Sequence, residues 1–234
     1  METIAPKCIN QLVKELNSHQ VHSNELVSGI VSSISFDRYE IEAFNTFNHN
    51  LKDSYGRKLV YDSDRFKILV MSWLPGDFTA IHNHGYTEWG SVHFFGEATH
   101  RLYENSHGTL DVICKEQFGE GQNAAVCGNL THLMGNNGKK AFVTLHIYGK
   151  DSDENKVADD AMVYLPEFQK VATTSGTAYL NLDRSLIKSE TPYNAFSDEM
   201  IFDYFKLIAP FYCRNNQSEL LKKLESKINN EIFS

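Results

Sequence analysis

The feature that most constrains this fold is a succession of short segments, between about residues 57 and 168, rich in β-branched and aromatic residues. Turn signals such as PGD, NSHG, GEGQ and GNNGKK separate them. Short apolar runs bounded by such residues are typical of strands. Many short strands at regular spacing predict a sandwich or a barrel. The segments are LVYDSDRFKILVMSWL, EWGSVHFFG, TLDVICKEQ, NAAVCGN, AFVTLHIYG and DAMVYLPEF.

Both ends of the chain carry helical spacing instead. Apolar residues recur at i, i+3, i+4 and i+7 over residues 9–16, and Ser23 is a candidate N-cap for a second helix reaching Ile34. Residues 196–212 and 217–233 also show helical apolar spacing. We expect these helices to pack on the outside of the β-structure, with a dimer contact as the alternative. The apolar stripe of the last helix is Leu220, Leu221, Leu224 and Ile228.

Length and charge narrow the class of protein. The 234 residues fit one domain. We divide it into a helical segment (1–50), a β-barrel (51–180) and a helical C-terminal extension (181–234). The net charge of −8 disfavours nucleic acid and anionic membranes as partners, because both need a basic patch. No apolar stretch approaches the length of a membrane span or a secretory signal. The expected oligomeric state is a monomer or a homodimer.

The cysteines point to a reducing compartment. The four cysteines are widely scattered, and none forms a CxxC pair, which disfavours a zinc knuckle or a disulfide framework. Reduced thiols in the cytoplasm are the simplest interpretation. The cysteines are Cys8, Cys114, Cys127 and Cys213.

Three histidines form the candidate metal site. His82 and His84 are two residues apart, so on a strand both side chains project from the same face. His132 follows in a later strand-like segment. Three neutral imidazoles suit a redox-active divalent metal such as Fe(II), and zinc would also accept them. The alternative for a lone HxH pair is two partly exposed histidines at the end of a strand.

Two segments around these histidines resemble the motifs of the cupin superfamily. The first runs from Gly76 through His82 and His84 to Gly96, and the second from Gly121 through His132 to Asn136. In the second, a cysteine and an asparagine replace the usual proline and glycine, but no ligand is lost. The resemblance implies a single cupin jelly-roll barrel that is mainly β, with the terminal helices packed outside.

Within the cupins, residues 50 to 165 resemble the cysteine dioxygenase-like thiol dioxygenases. Tyr55 and Arg57 match a segment whose arginine binds the substrate carboxylate, and the three histidines match the iron ligands. The order of the pieces agrees with the family. The run VTLHIY resembles the family's Ser-His-Tyr triad, which corresponds here to Thr144, His146 and Tyr148. On one strand these three residues share a face.

Two positions within the first motif bear on the metal site and the substrate pocket. Trp89 stands where some cysteine dioxygenases have a cysteine linked to the triad tyrosine, so it cannot make that link. Counting back from Gly96 predicts that Trp89 faces inward and shapes the substrate pocket. His93 lies four residues later in the sequence, so on a strand its side chain would lie on the same face as Trp89. Glu88 falls where many cupins place a fourth, carboxylate ligand, and this alternative stays open. Three other histidines belong to no motif, and we expect them to be ordinary polar residues at the surface: His22, His100 and His107.

The sequence thus predicts a mononuclear iron enzyme that oxidises a small thiol bearing a carboxylate, of the cysteine or 3-mercaptopropionate type, to its sulfinate with O2. One alternative is a metal-dependent cupin with three histidines and Glu88 that acts on carbon. The other is a cupin without catalytic activity that binds a small molecule.

Overall fold

The computed structural model describes residues 6–232, with side chains to residue 225. Short 3-10 turns lie at Pro166–Phe168 and Arg184–Leu186. The helices are α1 (Lys7–Asn17), α2 (Asn24–Ser33), α3 (Arg38–Glu42), α4 (Asp198–Arg214) and α5 (Ser218–Ile232). The strands are β1 (Gly56–Asp62), β2 (Phe66–Trp73), β3 (Ile81–His82), β4 (Trp89–Phe94), β5 (Ala98–Ser106), β6 (Thr109–Phe118), β7 (Asn123–Ala125), β8 (Thr131–Gly135), β9 (Phe142–Gly149), β10 (Ala161–Leu165), β11 (Lys170–Thr174) and β12 (Ile187–Pro192).

The strands form two antiparallel sheets. One has the order β1-β2-β9-β4-β7 and the other the order β12-β11-β10-β3-β8-β5-β6. Six of the ten neighbouring pairs join strands that are not consecutive in the chain, as in a jelly roll, where the chain alternates between two facing sheets. The two sheets remain separate rather than closing into one hydrogen-bonded barrel. The prediction of a mainly β jelly roll flanked by terminal helices is confirmed.

Strand β9 shows how the first sheet divides its residues between two faces. It pairs with β2 over its whole length and with β4 on its other side. Val143, Leu145 and Ile147 join the apolar core formed with the N-terminal helices, while the intervening Thr144 and His146 point between the sheets. The period of two thus separates an apolar outer face from a polar inner one.

The N-terminal helices cover that outer face. Leu12 and Leu16 of α1, with Val27 and Val31 of α2, are completely buried in this core. The Ser23 hydroxyl accepts a hydrogen bond from the Leu26 amide at 3.2 Å, as the cap prediction requires. Burial of these aliphatic side chains is worth roughly 1.5–3 kcal/mol each, so packing more than helix propensity holds the segment.

The C-terminal region differs in part from the prediction. Helices α4 and α5 pack on the second sheet, with Leu224 fully buried, but strand β12 lies within the region predicted to be only helical. This strand pairs with β11 at the edge of the sheet, and only Ile187 is apolar and partly buried. An exposed polar edge strand lacks the apolar alternation by which strands are recognised. The side chain of Ile228 lies outside the described residues.

None of the described helices has the length and apolar character needed to cross a membrane.

Candidate metal centre

Three buried histidines meet between the two sheets. His82 on β3 is the direct cross-strand partner of His132 on β8, and His84 follows two residues after His82. The ring centroids of His82 and His132 are 4.6 Å apart, and those of His84 and His132 are 4.8 Å apart. One potential ligand atom from each residue lies within 4.8 Å of the others. Antiparallel pairing therefore brings together the three histidines singled out in the sequence.

The ring nitrogens of these histidines fit a metal. Within the described residues, both ring nitrogens of His84 and the Nε2 atom of His132 are buried without a hydrogen-bond partner. Burial lowers the pKa of His82 to about 4 and the pKa values of His84 and His132 well below the ordinary value. The rings are therefore neutral at pH 7, as metal ligation requires. Buried nitrogens without partners need an explanation, and a bound cation supplies one.

Glu88 does not join the histidines. Its exposed carboxylate accepts hydrogen bonds from the backbone amides of Asp151, at 2.7 Å, and Ser152, at 3.3 Å. A side-chain hydrogen bond with Ser152 is the largest cause that holds the pKa of Glu88 below its ordinary value, and the two backbone amides lower the pKa further. Among the described residues, the group able to hold a metal consists of the three histidines alone.

A chain of hydrogen bonds ends beside the histidines. The Trp73 indole N–H donates to Thr144 Oγ1 at 2.8 Å. Thr144 Oγ1 lies 2.7 Å from His146 Nε2, and His146 Nδ1 lies 2.7 Å from the Tyr148 hydroxyl. The Tyr148 ring is 5.3 Å from that of His84, centroid to centroid. The structure thus connects the predicted triad in the expected order, and Trp73 adds a fourth member.

Burial keeps the members of this chain neutral. It lowers the pKa of His146 to about 3 and raises the pKa of Tyr148. A hydroxyl that accepts a hydrogen bond, as Thr144 does from Trp73, becomes a better donor. Donation from Thr144 to His146 Nε2 leaves His146 Nδ1–H to donate to the Tyr148 oxygen. The Tyr148 proton is then free to reach into the cavity.

Arg57 and Tyr55 lie on the same side of the site. Tyr55 is completely buried, stacks on Trp73 and accepts a hydrogen bond from the Ala178 amide at 3.3 Å. The Arg57 Nη1 atom donates to the Thr177 hydroxyl at 2.9 Å, and its Nε–H is buried without a partner. The positive charge of Arg57 contributes to the lowered pKa of His146, so the guanidinium lies within electrostatic reach of the centre.

A small cavity of about 20 Å³ lies between the three histidines, Tyr55 and Tyr148, and Arg57 is not among the residues that line it. None of its lining residues belongs to α4 or α5. The lining residues are Tyr55, Met71, Thr79, His82, Asn83, His84, His132, Met134, His146, Tyr148, Ala158 and Gly176.

Trp89 does not line the cavity, and the expectation that it shapes the pocket is wrong. Gly90 is the partner of Tyr148 in the pairing of β4 with β9, so Gly90 faces inward and Trp89 faces outward. The indole belongs to the core under the N-terminal helices and stacks on His22, with 4.3 Å between ring centroids. His93 shares this outward face, where its Nδ1 lies 2.6 Å from Asn123 Oδ1.

Two histidines that carried no signal in the sequence are buried and bonded. His22 Nδ1 lies 2.8 Å from an Asp151 carboxylate oxygen. His100 Nε2 lies 2.8 Å from Nδ1 of His132, directly behind the candidate metal site. Their contacts come from other parts of the chain, so no local motif marks them.

The chain matches no family model. A double-stranded β-helix domain protein of Klebsiella pneumoniae is 15% identical, with a TM-score of 0.39 over 53% of this chain and 96% of that one. A cupin superfamily protein of Desulfitobacterium hafniense is 17% identical, with a TM-score of 0.32 over 40% of this chain and 74% of the other. An oxalate decarboxylase of Lactobacillus farciminis is 13% identical, with a TM-score of 0.35 over 42% of this chain and 30% of that enzyme.

Proposed function

We propose that this protein is an Fe(II) enzyme that oxidises a small thiol carrying a carboxylate to its sulfinate. Both atoms of O2 join the sulfur, so the reaction needs no further reductant. Iron bound by His82, His84 and His132 would supply the oxygen chemistry, since three neutral imidazoles leave positions open for other ligands. The protein supplies orientation, proton control and exclusion of water.

The observation that carries the proposal is the meeting of three histidines and a neutral tyrosine around one cavity, with the unpartnered donor of Arg57 within electrostatic reach. A guanidinium matches the planar geometry of a carboxylate, and the buried Nε–H of Arg57 has no acceptor within the described residues. The Tyr148 hydroxyl donates into the cavity, and His146 and Thr144 fix the direction in which it points. The small volume favours a substrate of few atoms.

The two alternatives lose the features that would have favoured them. A carbon-directed enzyme with three histidines and one glutamate needs Glu88 as a ligand, but its carboxylate binds the amides of Asp151 and Ser152. A cupin without catalytic activity would be favoured if Trp89 filled the cavity, but the indole packs under the N-terminal helices. Neither observation involves the thiol chemistry, which the following experiment tests.

The test compares the wild type with Arg57→Ala and Arg57→Lys on a thiol acid and on the matching thiol without a carboxylate. Loss of the charged pair should weaken binding of the acid by about 2 kcal/mol or more, which corresponds to a roughly 30-fold rise in its KM. The KM of the thiol without a carboxylate should stay unchanged. Arg57→Lys should restore only part of the affinity for the thiol acid, because an ammonium lacks the two parallel N–H donors of a guanidinium. Oxygen uptake and the mass of the sulfinate are the readouts, with iron content measured in each variant.

Arg184→Ala is the matched control, because this arginine is exposed and lies far along the chain in a surface turn. This variant should leave KM unchanged for both thiols. If the Arg57 variants affect both thiols equally, or neither, Arg57 is not the carboxylate anchor. If the iron-loaded wild type oxidises none of a broad set of thiol acids faster than free iron does, thiol oxidation is refuted.

A further inference from the structure

A second chain of hydrogen bonds reaches the centre at His132, whereas Tyr148 lies beside His84. Nε2 of His100 lies 2.8 Å from Nδ1 of His132, and Nδ1 of His100 lies 3.0 Å from a Glu116 carboxylate oxygen. His100 is buried, and Glu116 reaches partial exposure with 38% of its side chain accessible. The two residues are cross-strand partners on β5 and β6, so the sheet itself sets their contact.

The cavity beside this chain shows which described residues surround it. A cavity of about 210 Å³ lies alongside it, and only His100, Glu116 and His132 contribute polar side chains to its lining. The other lining side chains are apolar, among them Phe94 and Phe118. Within this lining, the protein partner for Nδ1 of His132 is therefore His100.

The chemistry of the three groups gives the chain one direction. An ionised carboxylate only accepts hydrogen bonds, so Glu116 requires a proton on Nδ1 of His100. In a neutral imidazole the other nitrogen then carries a lone pair, so His100 Nε2 accepts from Nδ1–H of His132. This leaves a lone pair on Nε2 of His132, the atom that is buried without a partner among the three histidines. The opposite tautomers would turn a lone pair of His100 toward the carboxylate.

We propose that His100 and Glu116 are positioning residues that hold His132 in the tautomer and orientation in which Nε2 binds the metal. The proposal rests on the metal site but not on thiol oxidation. A corresponding role belongs to a backbone carbonyl at His82, whose Nδ1 lies 2.9 Å from the Ala80 oxygen. Partners that orient ligand histidines in this way typically change metal affinity 10- to 100-fold.

The experiment uses Glu116→Gln, His100→Gln and His100→Leu in the full chain, with Glu104→Gln as a control that removes the same charge at an exposed position of β5. Co(II) is the probe, and its dissociation constant is measured anaerobically by competition with a chelator. The dissociation constant should rise by roughly 10- to 100-fold in His100→Leu and by about 10-fold in Glu116→Gln. It should stay near the wild-type value in Glu104→Gln and recover largely in His100→Gln, whose amide oxygen still accepts from His132.

A second readout needs no metal. In the metal-free wild type, ¹⁵N NMR of the imidazoles should find His132 protonated on Nδ1 and bare on Nε2. Glu116→Gln should introduce the opposite tautomer, because an amide donates as well as accepts. This variant alters a partly exposed side chain and conserves its size, so it tests the idea even if His100→Leu does not fold.

The outcomes separate this proposal from the proposed function. Wild-type Co(II) affinity in both Glu116→Gln and His100→Leu, with an unchanged His132 tautomer, overturns the positioning role. Failure of the wild type to bind Co(II) at all refutes the metal site, and the NMR comparison then still decides the tautomer claim. Loss of affinity with no thiol oxidation in any protein supports the positioning role and refutes the enzyme activity alone.

Discussion

The buried carboxyl group of Glu167 should make the stability of this protein depend on pH in a predictable direction. Glu167 lies in the turn Pro166–Phe168 and accepts hydrogen bonds from the hydroxyls of Tyr204 and Tyr212 on α4. Burial, the largest cause, raises its pKa from 4.5 to about 7, although the tyrosine hydrogen bonds oppose the shift. There is therefore a pH range in which the Glu167 carboxyl is still protonated in the folded protein but already ionised in the unfolded chain.

The sign and size of the effect follow from linkage. Between pH 4.5 and about 7 the folded state binds more protons at Glu167 than the unfolded state, so stability falls as the pH rises. The contribution is fully present below the unfolded pKa and lost once the pH passes the folded pKa. A tenfold change in proton affinity is worth about 1.4 kcal/mol, which gives a loss of about 3 kcal/mol across this window. Glu167→Gln keeps the shape and an acceptor oxygen but removes the titration.

Urea unfolding of the metal-free wild type and Glu167→Gln at several pH values between 4.5 and 8 measures this contribution. The wild type should lose about 3 kcal/mol relative to the variant over that range. The buried histidines contribute in the opposite direction, but they are present in both proteins and cancel in the difference. Glu190→Gln, at an exposed glutamate paired with Lys170, should show no such trend. A difference between wild type and Glu167→Gln that is independent of pH would refute the reasoning.

Two further predictions concern the inner and outer faces of the first sheet. Thr144→Val should cost about 1–3 kcal/mol in urea unfolding, because it leaves His146 Nε2 and the Trp73 N–H unpaired, and it should slow thiol oxidation while iron content stays unchanged. Unchanged turnover would remove Thr144 from the proton chain. Trp89→Ala should cost about 3–5 kcal/mol in the same assay without changing KM for a thiol acid, since the indole packs outside the cavity. A large change of KM in a folded Trp89→Ala protein would contradict this and show that Trp89 contributes to the substrate pocket.

Local periodicity in the sequence was enough to predict the main architecture. The alternation in β9 separates Thr144 and His146 from Leu145, and it needs no knowledge of the neighbouring strands. The N-cap at Ser23 is likewise a local signal, since the hydroxyl bonds an amide three residues away. The polar edge strand β12 was missed because its pairing with β11 leaves almost no apolar pattern in its own residues.

Local periodicity could not predict the face of the sheet on which a side chain lies where that face depends on the register between strands. Counting from Gly96 predicts that Trp89 lies on the inner face, but hydrogen bonds between β4 and β9 place Gly90 opposite Tyr148 and turn Trp89 outward. Since side chains alternate at every residue, an error of one position moves a side chain to the opposite face of the sheet.

The chain from Glu116 through His100 shows the same limit more sharply. Continuous counting back from the hairpin at Ser106 and Thr109 would pair His100 with Lys115. A bulge between Val112 and Cys114 shifts the register by one residue and brings Glu116 opposite His100 instead. The sequence by itself determined which residue types could form the strands and the histidine cluster. Tertiary structure decided which side chains support that cluster, because inter-strand register depends on hydrogen bonds between segments that are far apart in the chain.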